Sequence, residues 1–240
     1  MARNQFLAAI AATLLLACFA ETANAQAITV LPVSIQMQPG QQAASLTIIN
    51  QGDAESAVQV RAFVWSQVDG EERLTPSDDI VASPPLATIA PGAIQVVRLV
   101  LRQPAQGNER TYRILLDQIP PAAAPGTVRI ALRLSIPVFA APATRVAPHL
   151  AFHVETSGDQ AFLVAINSGT AHDTLRNIVL ATGDGQVVSM EAGSSPYVLA
   201  ATTHRYPLQS LPTSGGALRL TAQGVDREIT ESVPIVAGRP

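Results

Sequence analysis

The stretch that decides the fold is GTVRIALRLSIPVFAAP, residues 126–142, in which every second residue is aliphatic. The aliphatic positions are Val128, Ile130, Leu132, Leu134, Ile136 and Val138. The positions between them are Arg129, Ala131, Arg133, Ser135, Pro137 and Phe139. A period of two residues predicts a β-strand with one wholly aliphatic face. Ordinary strands run about 5–6 residues, and this alternation continues for about twice that length.

Two interpretations of this long strand are open from its pattern. Alternation alone favours an ordinary core strand inside its own sandwich. An exposed aliphatic edge strand would be an aggregation hazard, so a protein that keeps one implies a partner that covers it. Strand addition to a partner would supply backbone hydrogen bonds and side-chain pockets. Burying three or four aliphatic side chains would contribute about 5–10 kcal/mol gross, before the costs of association.

The rest of the chain also alternates with period two, in short segments separated by Gly, Pro, Asn and Asp. About seven strands are predicted before residue 142, at the spacing typical of a β-sandwich. The first of them, 28–37, is interrupted at Pro32, which predicts an edge strand or a bulge. A second all-β pattern occupies 149–235, after the Pro-rich linker 141–148. We therefore predict an all-β protein of two sandwiches, the first over 26–143 with its long strand at 127–139, and the second over 148–240.

The first 25 residues have the features of a signal peptide. A single early Arg precedes the apolar run FLAAIAATLLLACFA, and Ala-Asn-Ala at 23–25 is a small-x-small cleavage site. We expect the mature chain to be secreted and to begin at Gln26, with no stable membrane insertion. The alternative is lipidation at Cys18, the only cysteine of the sequence. A mature chain without cysteine has no disulfide, thiol nucleophile or Cys-based metal site.

The charge composition argues against a nucleic-acid-binding protein. The formal net charge is −3, and all 15 basic residues are scattered arginines, with no lysine. A nucleic-acid surface would require a concentrated basic patch. Any buried cationic anchor in this chain must therefore be an arginine.

No catalytic or metal-binding motif stands out. The nucleophile elbow, the HExxH helix, the P-loop and the dinucleotide glycine motif are all missing from the sequence. His149 and His153 on one strand would stand roughly 13 Å apart, too far to share an ion. His172, Asp173 and Ser168 have the residue types of a triad but no nucleophile context. We predict that the protein is not an enzyme and binds neither cofactor nor metal.

Several segments of the sequence resemble one known family, the periplasmic pilus chaperones of the chaperone–usher pathway (PapD-like). In the first domain they are VSIQMQPGQQAASLTIIN (33–50), AVQVRAFVW (57–65), SPPLATIAPGAIQVVRLVL (83–101), NERTYRILLDQIP (108–120) and IPVFAAP (136–142). In the second they are VAINSGTAHDTLRNIVL (164–180) and SSPYVLAATTHRYPL (194–208). The resemblance implies two immunoglobulin-like domains in a boomerang. It also implies a chaperone that lends its long strand to pilus subunits and delivers them to an outer-membrane usher.

The resemblance assigns roles to residues of the long strand. The family's subunit-binding positions fall on Val128, Ile130, Leu132 and Leu134. The family usually holds the subunit's terminal carboxylate with an Arg and a Lys, and those two positions fall here on Ser34 and Pro137. The usual anchor is thus absent, and SIPVF (135–139) resembles the divergent archaic branch.

A carboxylate entering a low-dielectric cleft still needs a charged partner, and Arg suits it through bidentate hydrogen bonds. The sequence-based candidates are Arg98 and Arg133. The free protein could also associate with itself. The alternative function is a secreted or lipidated two-domain adhesive or structural protein.

Overall fold

The computed structural model describes residues 28–121, 126, 130–144, 146–210 and 216–237. The strands of the first half are β1 (Ile28–Leu31), β2 (Ile35–Met37), β3 (Ala43–Asn50), β4 (Ser56–Val68), β5 (Glu71–Pro76), β6 (Ile80–Ser83), β7 (Leu86–Ile89), β8 (Ile94–Leu101), β9 (Arg110–Ile119) and β10 (Arg133–Ala140). The first sheet has the order β1-β3-β8-β6, and the second β2-β10-β9-β4-β5 with β7 paired to β4.

The two sheets of the first half enclose one hydrophobic core. Alternation along each strand places one face inward, as with Leu46 and Ile48 of β3 and Val97 and Leu99 of β8. Inward residues of the second sheet, including Ile114, meet them in the same cluster. This is the arrangement of a β-sandwich.

Pro32 marks the place where the chain changes sheets. β1 pairs antiparallel with β3 in the first sheet, and β2 pairs parallel with β10 in the second. Proline cannot donate to a ladder, so a break between two edge strands suits it. The sequence-based expectation of an edge strand interrupted at Pro32 agrees with this geometry.

The second half forms another sandwich. Its strands are β11 (Leu150–Ser157), β12 (Gln160–Asn167), β13 (Asp173–Thr174), β14 (Arg176–Ala181), β15 (Val187–Val188), β16 (Tyr197–Val198), β17 (Thr202–Pro207), β18 (Leu218–Gln223), β19 (Glu228–Val233) and β20 (Ile235–Ala237). The sheets β17-β12-β11-β20 and β15-β14-β18-β19 face each other, and β13 pairs with β16. Their inward side chains, such as Val154, Leu163 and Leu220, form a separate core.

The all-β, two-sandwich prediction is therefore confirmed. The described residues include no helix long and apolar enough to cross a membrane.

The long strand is shorter than its sequence pattern predicts. The alternation continues from residue 126, but the strand β10 begins at Arg133 and has eight residues. Residues 130–132 are described and lie outside any strand, whereas 127–129 lie outside the described residues. Alternation reports which side chains are apolar, and a strand also needs a partner for its backbone. Residues 130–132 continue the apolar pattern beyond the strand, and Leu132 still exchanges hydrogen bonds with Gln118 of β9.

Candidate functional site

The aliphatic row of β10 and of the residues just before it changes from buried to exposed toward the N-terminus. Val138 and Ile136 lie in the first core, with Ile136 only 3% exposed, and Leu134 packs against its margin. Further back along the chain, Leu132 is 37% exposed and Ile130 is 88% exposed. One row of side chains thus begins as core and ends as an uncovered apolar surface. Three of the four sequence-predicted binding residues share this row, and Val128 lies outside the described residues.

The backbone of β10 also has an open edge. On one side it pairs with β9 along its whole length, from Arg133 to Ala140. On the other side, in the described part of the chain, β2 covers it only at 138–140. The segment 133–137 therefore presents an edge at which another strand could be added.

The opposite face of β10 is turned toward the second sandwich. Phe139 stacks on His172, with ring centroids 3.6 Å apart and planes inclined by 9°. Trp65 of β4 meets Tyr197 edge-on at 5.3 Å between centroids. Between the two halves a small apolar cluster contains Trp65, Phe139, Tyr197 and Leu199. The end of β10 is thus fixed against the second domain.

Polar contacts reinforce this junction. The amide of Gln67 donates to the carbonyl of Tyr197 at 2.7 Å, and its oxygen accepts from the backbone N–H of Leu199 and the hydroxyl of Thr202, both at 2.9 Å. His172 Nδ1 lies 2.6 Å from Oε2 of Glu109, a carboxylate that is itself buried. Buried polar groups with full sets of partners hold a single geometry.

A pocket of about 610 Å³ opens between the domains. The first domain contributes Ser34, Glu109 and Phe139 to its wall, and the second contributes Arg176 and Arg227 among others. Ser34 is the position to which the family resemblance assigns an arginine. Among the described residues of this wall, the basic side chains come from the second domain.

A buried arginine lies beside Pro137, the position at which the family usually has a lysine. Arg113 of β9 is the direct cross-strand partner of Pro137. Its side chain is only 11% exposed, its guanidinium lies 3.7 Å above the ring of Trp65, and its Nη2 is 3.7 Å from a carboxylate oxygen of Glu72. Burial lowers the pKa of Arg113, opposed by the negative charge of Glu72. Arg113 is therefore a desolvated cation whose ion pair is long.

Sequence reasoning missed Arg113. The register between β9 and β10 would have revealed it. That register does not follow from the sequence, because the connection between the two strands is too long for turn geometry to set it.

The two arginines predicted from the sequence as anchors, Arg98 and Arg133, lie in different sheets. Arg133 forms an ion pair with Asp117, its cross-strand neighbour in β9. Arg98 lies in β8 of the other sheet, where its neighbours Val97 and Leu99 point into the core and Arg98 is exposed. The sandwich core thus separates Arg98 from β10, and the geometry does not favour it as an anchor near the donor strand.

The triad-like residues of the second domain have separate partners. Asp173 accepts hydrogen bonds from the backbone N–H groups of Thr174 and Val225, and Ser168 donates to the carbonyl of His149. No group of three or more His, Cys, Asp or Glu side chains capable of holding a metal occurs among the described residues.

Residues 27–145 match the model of a family described as pili and flagellar-assembly chaperones, PapD N-terminal domain. Among curated protein sequences, none matches this chain significantly.

Solved structures of such chaperones share the fold over nearly the whole chain. The CsuC–CsuE chaperone–tip adhesion subunit complex, from archaic chaperone-usher Csu pili of Acinetobacter baumannii, matches with a TM-score of 0.68 at 21% identity, covering 88% of this chain and 99% of that one. The SafB chaperone, solved with the SafA pilin of Salmonella enterica, matches with a TM-score of 0.62 at 14% identity, covering 88% and 99%. The E. coli chaperone DraB matches with a TM-score of 0.57 at 17% identity, covering 87% and 97%. At these identities the likeness establishes the fold.

Proposed function

Because this chain belongs to the PapD-like family of pili and flagellar-assembly chaperones, we propose that it captures fibre subunits with the donor strand predicted at 127–139. The part lent to the subunit is the donor segment, residues 127–134 of that strand. The residues that enter the subunit are Val128, Ile130, Leu132 and Leu134. The observation that carries this proposal is the aliphatic row that leaves the core at Leu134 and is 88% exposed at Ile130.

The energetics favour a partner for this row. Covering the side chains of Ile130 and Leu132 would contribute roughly 1.5–3 kcal/mol each, offset by the cost of ordering the segment. The open edge of β10 at 133–137 would add backbone hydrogen bonds with an incoming strand. Strand addition uses apolar side chains that enter pockets of the partner and an open backbone edge. Here both lie on the continuous segment 130–137.

We further propose that Arg113 holds the terminal carboxylate of the captured subunit. It lies across the ladder from Pro137, the position at which the family usually has a lysine. Its charge is already desolvated, and the long contact with Glu72 leaves hydrogen-bonding capacity for a second carboxylate. Arg133 remains the alternative anchor, and the two are separated by the experiments below.

Delivery of the subunit to an outer-membrane usher, residence in the periplasm and membership of the archaic branch complete the proposal. The family supports the first two, and the SIPVF sequence at 135–139 supports the third. The capture step needs neither catalysis nor a cofactor, because it exchanges one set of strand contacts for another.

The donor-segment proposal is tested by co-expressing residues 26–240 with candidate fibre subunits and isolating a one-to-one complex. The double variant Ile130→Asp/Leu132→Asp should abolish the complex, because charges cannot enter an apolar groove. Val187→Asp is the matched control, since Val187 is 64% exposed on β15 of the second domain. It should leave the complex intact. A stable complex with the double variant would contradict the assignment of the donor segment.

The anchor is tested by comparing Arg113→Ala, Arg133→Ala and Arg98→Ala in the same capture assay. Arg113→Ala should cause the greatest loss, and a subunit lacking its terminal residue should lose its sensitivity to that substitution. If capture survives Arg113→Ala, the anchor lies elsewhere.

A further inference from the structure

A three-residue ionic cluster lies at the point where the donor segment joins the sheet. Asp117 of β9 faces Arg133, the first residue of β10, and its Oδ1 accepts a hydrogen bond from Arg133 Nε. Its Oδ2 accepts from Nε and Nη2 of Arg61 in β4, at 3.0 and 2.7 Å. The carboxylate is only 15% exposed, between two more exposed guanidinium groups. One anion therefore ties together three neighbouring strands.

Gln118, the residue of β9 that follows Asp117, is hydrogen-bonded to Leu132, the residue just before β10. The backbone N–H of Gln118 donates to the carbonyl of Leu132 at 2.9 Å. The side-chain oxygen of Gln118 accepts from the N–H of Leu132 at 3.4 Å. Ile130, two residues earlier, is almost fully exposed. Asp117 and Gln118 thus mark the boundary between paired strand and projecting segment.

We propose that Asp117 is a positioning residue that fixes the register in which the donor segment leaves the sheet, by holding Arg133 opposite it; this inference rests on the proposed function. Register matters here because a slip of one residue would turn Ile130 and Leu132 away from the subunit and present Arg129 and Ala131. Arg133 already has a structural partner in Asp117. Its role in this proposal is to position the donor segment, and not to bind the subunit's carboxylate.

The proposal is tested with Asp117→Asn, Arg133→Ala and their double variant in the capture assay. Each single variant should weaken capture about fivefold, the size expected for a partly buried ion pair. The double variant should lose no more than either single one, because both remove the same interaction. Arg133→Lys should recover part of the affinity by keeping one charged donor.

A second measurement on the free protein does not depend on any subunit. Amide hydrogen exchange at 130–134 should accelerate in Asp117→Asn, while exchange in the core of the second domain stays unchanged. Glu155→Gln is the matched control: its carboxylate is also 15% exposed and lies 2.6 Å from Arg205 Nη2, in the second domain. It should change neither capture nor exchange at 130–134.

The outcomes separate the two proposals. Loss of capture in Arg133→Ala with full capture in Asp117→Asn would overturn the positioning role and identify Arg133 as the carboxylate anchor. Unchanged exchange at 130–134 in Asp117→Asn would overturn it as well. If the Ile130→Asp/Leu132→Asp double variant still captures subunits, the donor-segment function fails, and the exchange measurement still decides whether Asp117 orders the segment.

Discussion

The ring of Phe139 stacks face to face on the imidazole of His172, with centroids 3.6 Å apart. Phe139 belongs to the strand that continues from the donor segment, and His172 belongs to the second domain. The contact therefore links the strand proposed to bind subunits to the second domain. Truncating a buried aromatic ring costs about 3–5 kcal/mol.

We expect Phe139→Ala to uncouple the domains, because both sandwiches keep their own cores. Calorimetry should show two separated unfolding transitions, or proteolysis at the linker 141–148 should become faster. Phe139→Leu retains most of the volume and should cause a smaller effect. A single unchanged transition in Phe139→Ala would show that the stacking does not couple the domains.

Gln67 should contribute to the same junction through hydrogen bonds. Gln67→Ala would leave the buried N–H of Leu199 and the carbonyl of Tyr197 without their partner. A buried polar group that loses its partner costs about 1–3 kcal/mol. We expect a lower midpoint in chemical denaturation and a broader interdomain distance distribution by small-angle scattering. Gln59→Ala on the same strand is the control, since Gln59 lies on β4 away from the junction.

Gly169 is predicted to tolerate no side chain. A Cβ at this position would lie 2.3 Å from the carbonyl oxygen of Ala147 and 2.5 Å from the nitrogen of His149. Both contacts are to backbone atoms, at the end of the linker and at the residue that follows it, and backbone cannot move as a flexible side chain can. Gly169→Ala should therefore displace the linker and lower the thermal stability, whereas Gly183→Ala, in open space, should not.

The sequence was sufficient to predict the all-β fold because alternation identifies the apolar face of each strand, and in a sandwich that face packs inward. Ile136 and Val138 were predicted on one face of one strand, and they lie together in the core. Contacts between distant segments were not predictable in this way. Gln67 meets Tyr197 across 130 positions of sequence, and no local pattern specifies that pairing. The start of β10 was missed for a similar reason, since the apolar period continues past Arg133, where the regular pairing with β9 ends.

Arg113→Met should separate binding from stability. Replacing a buried charge by an apolar side chain of similar volume is often neutral or stabilising, and Glu72 is exposed enough to remain hydrated. We expect an unchanged or higher melting temperature together with loss of subunit capture. Arg113→Lys should retain part of the capture but lose the planar stacking on Trp65. A large fall in melting temperature for Arg113→Met would instead assign Arg113 a structural role.

The lowered pKa of Asp117 predicts that part of the folding stability is lost at acidic pH. Burial opposes its ionisation, but hydrogen bonds from Arg133 and Arg61 outweigh that effect and hold the pKa of Asp117 below its usual value. The unfolded chain therefore binds this proton more readily than the folded one, so the stabilisation is present above the unfolded pKa of about 3.9. It is lost as the pH falls through the folded pKa.

We expect Asp117→Asn to lower the free energy of unfolding at pH 7 and to differ less from the wild-type protein as the pH falls below about 3.9. Urea denaturation at a series of pH values measures this difference. Arg61→Ala provides a graded comparison, because it removes two of the three hydrogen bonds to the carboxylate and leaves Arg133 in place. Its pH-dependent loss should be intermediate. A difference between Asp117→Asn and the wild-type protein that stayed constant from pH 7 to pH 3 would mean that the carboxylate's charge contributes nothing to holding β4, β9 and β10 together.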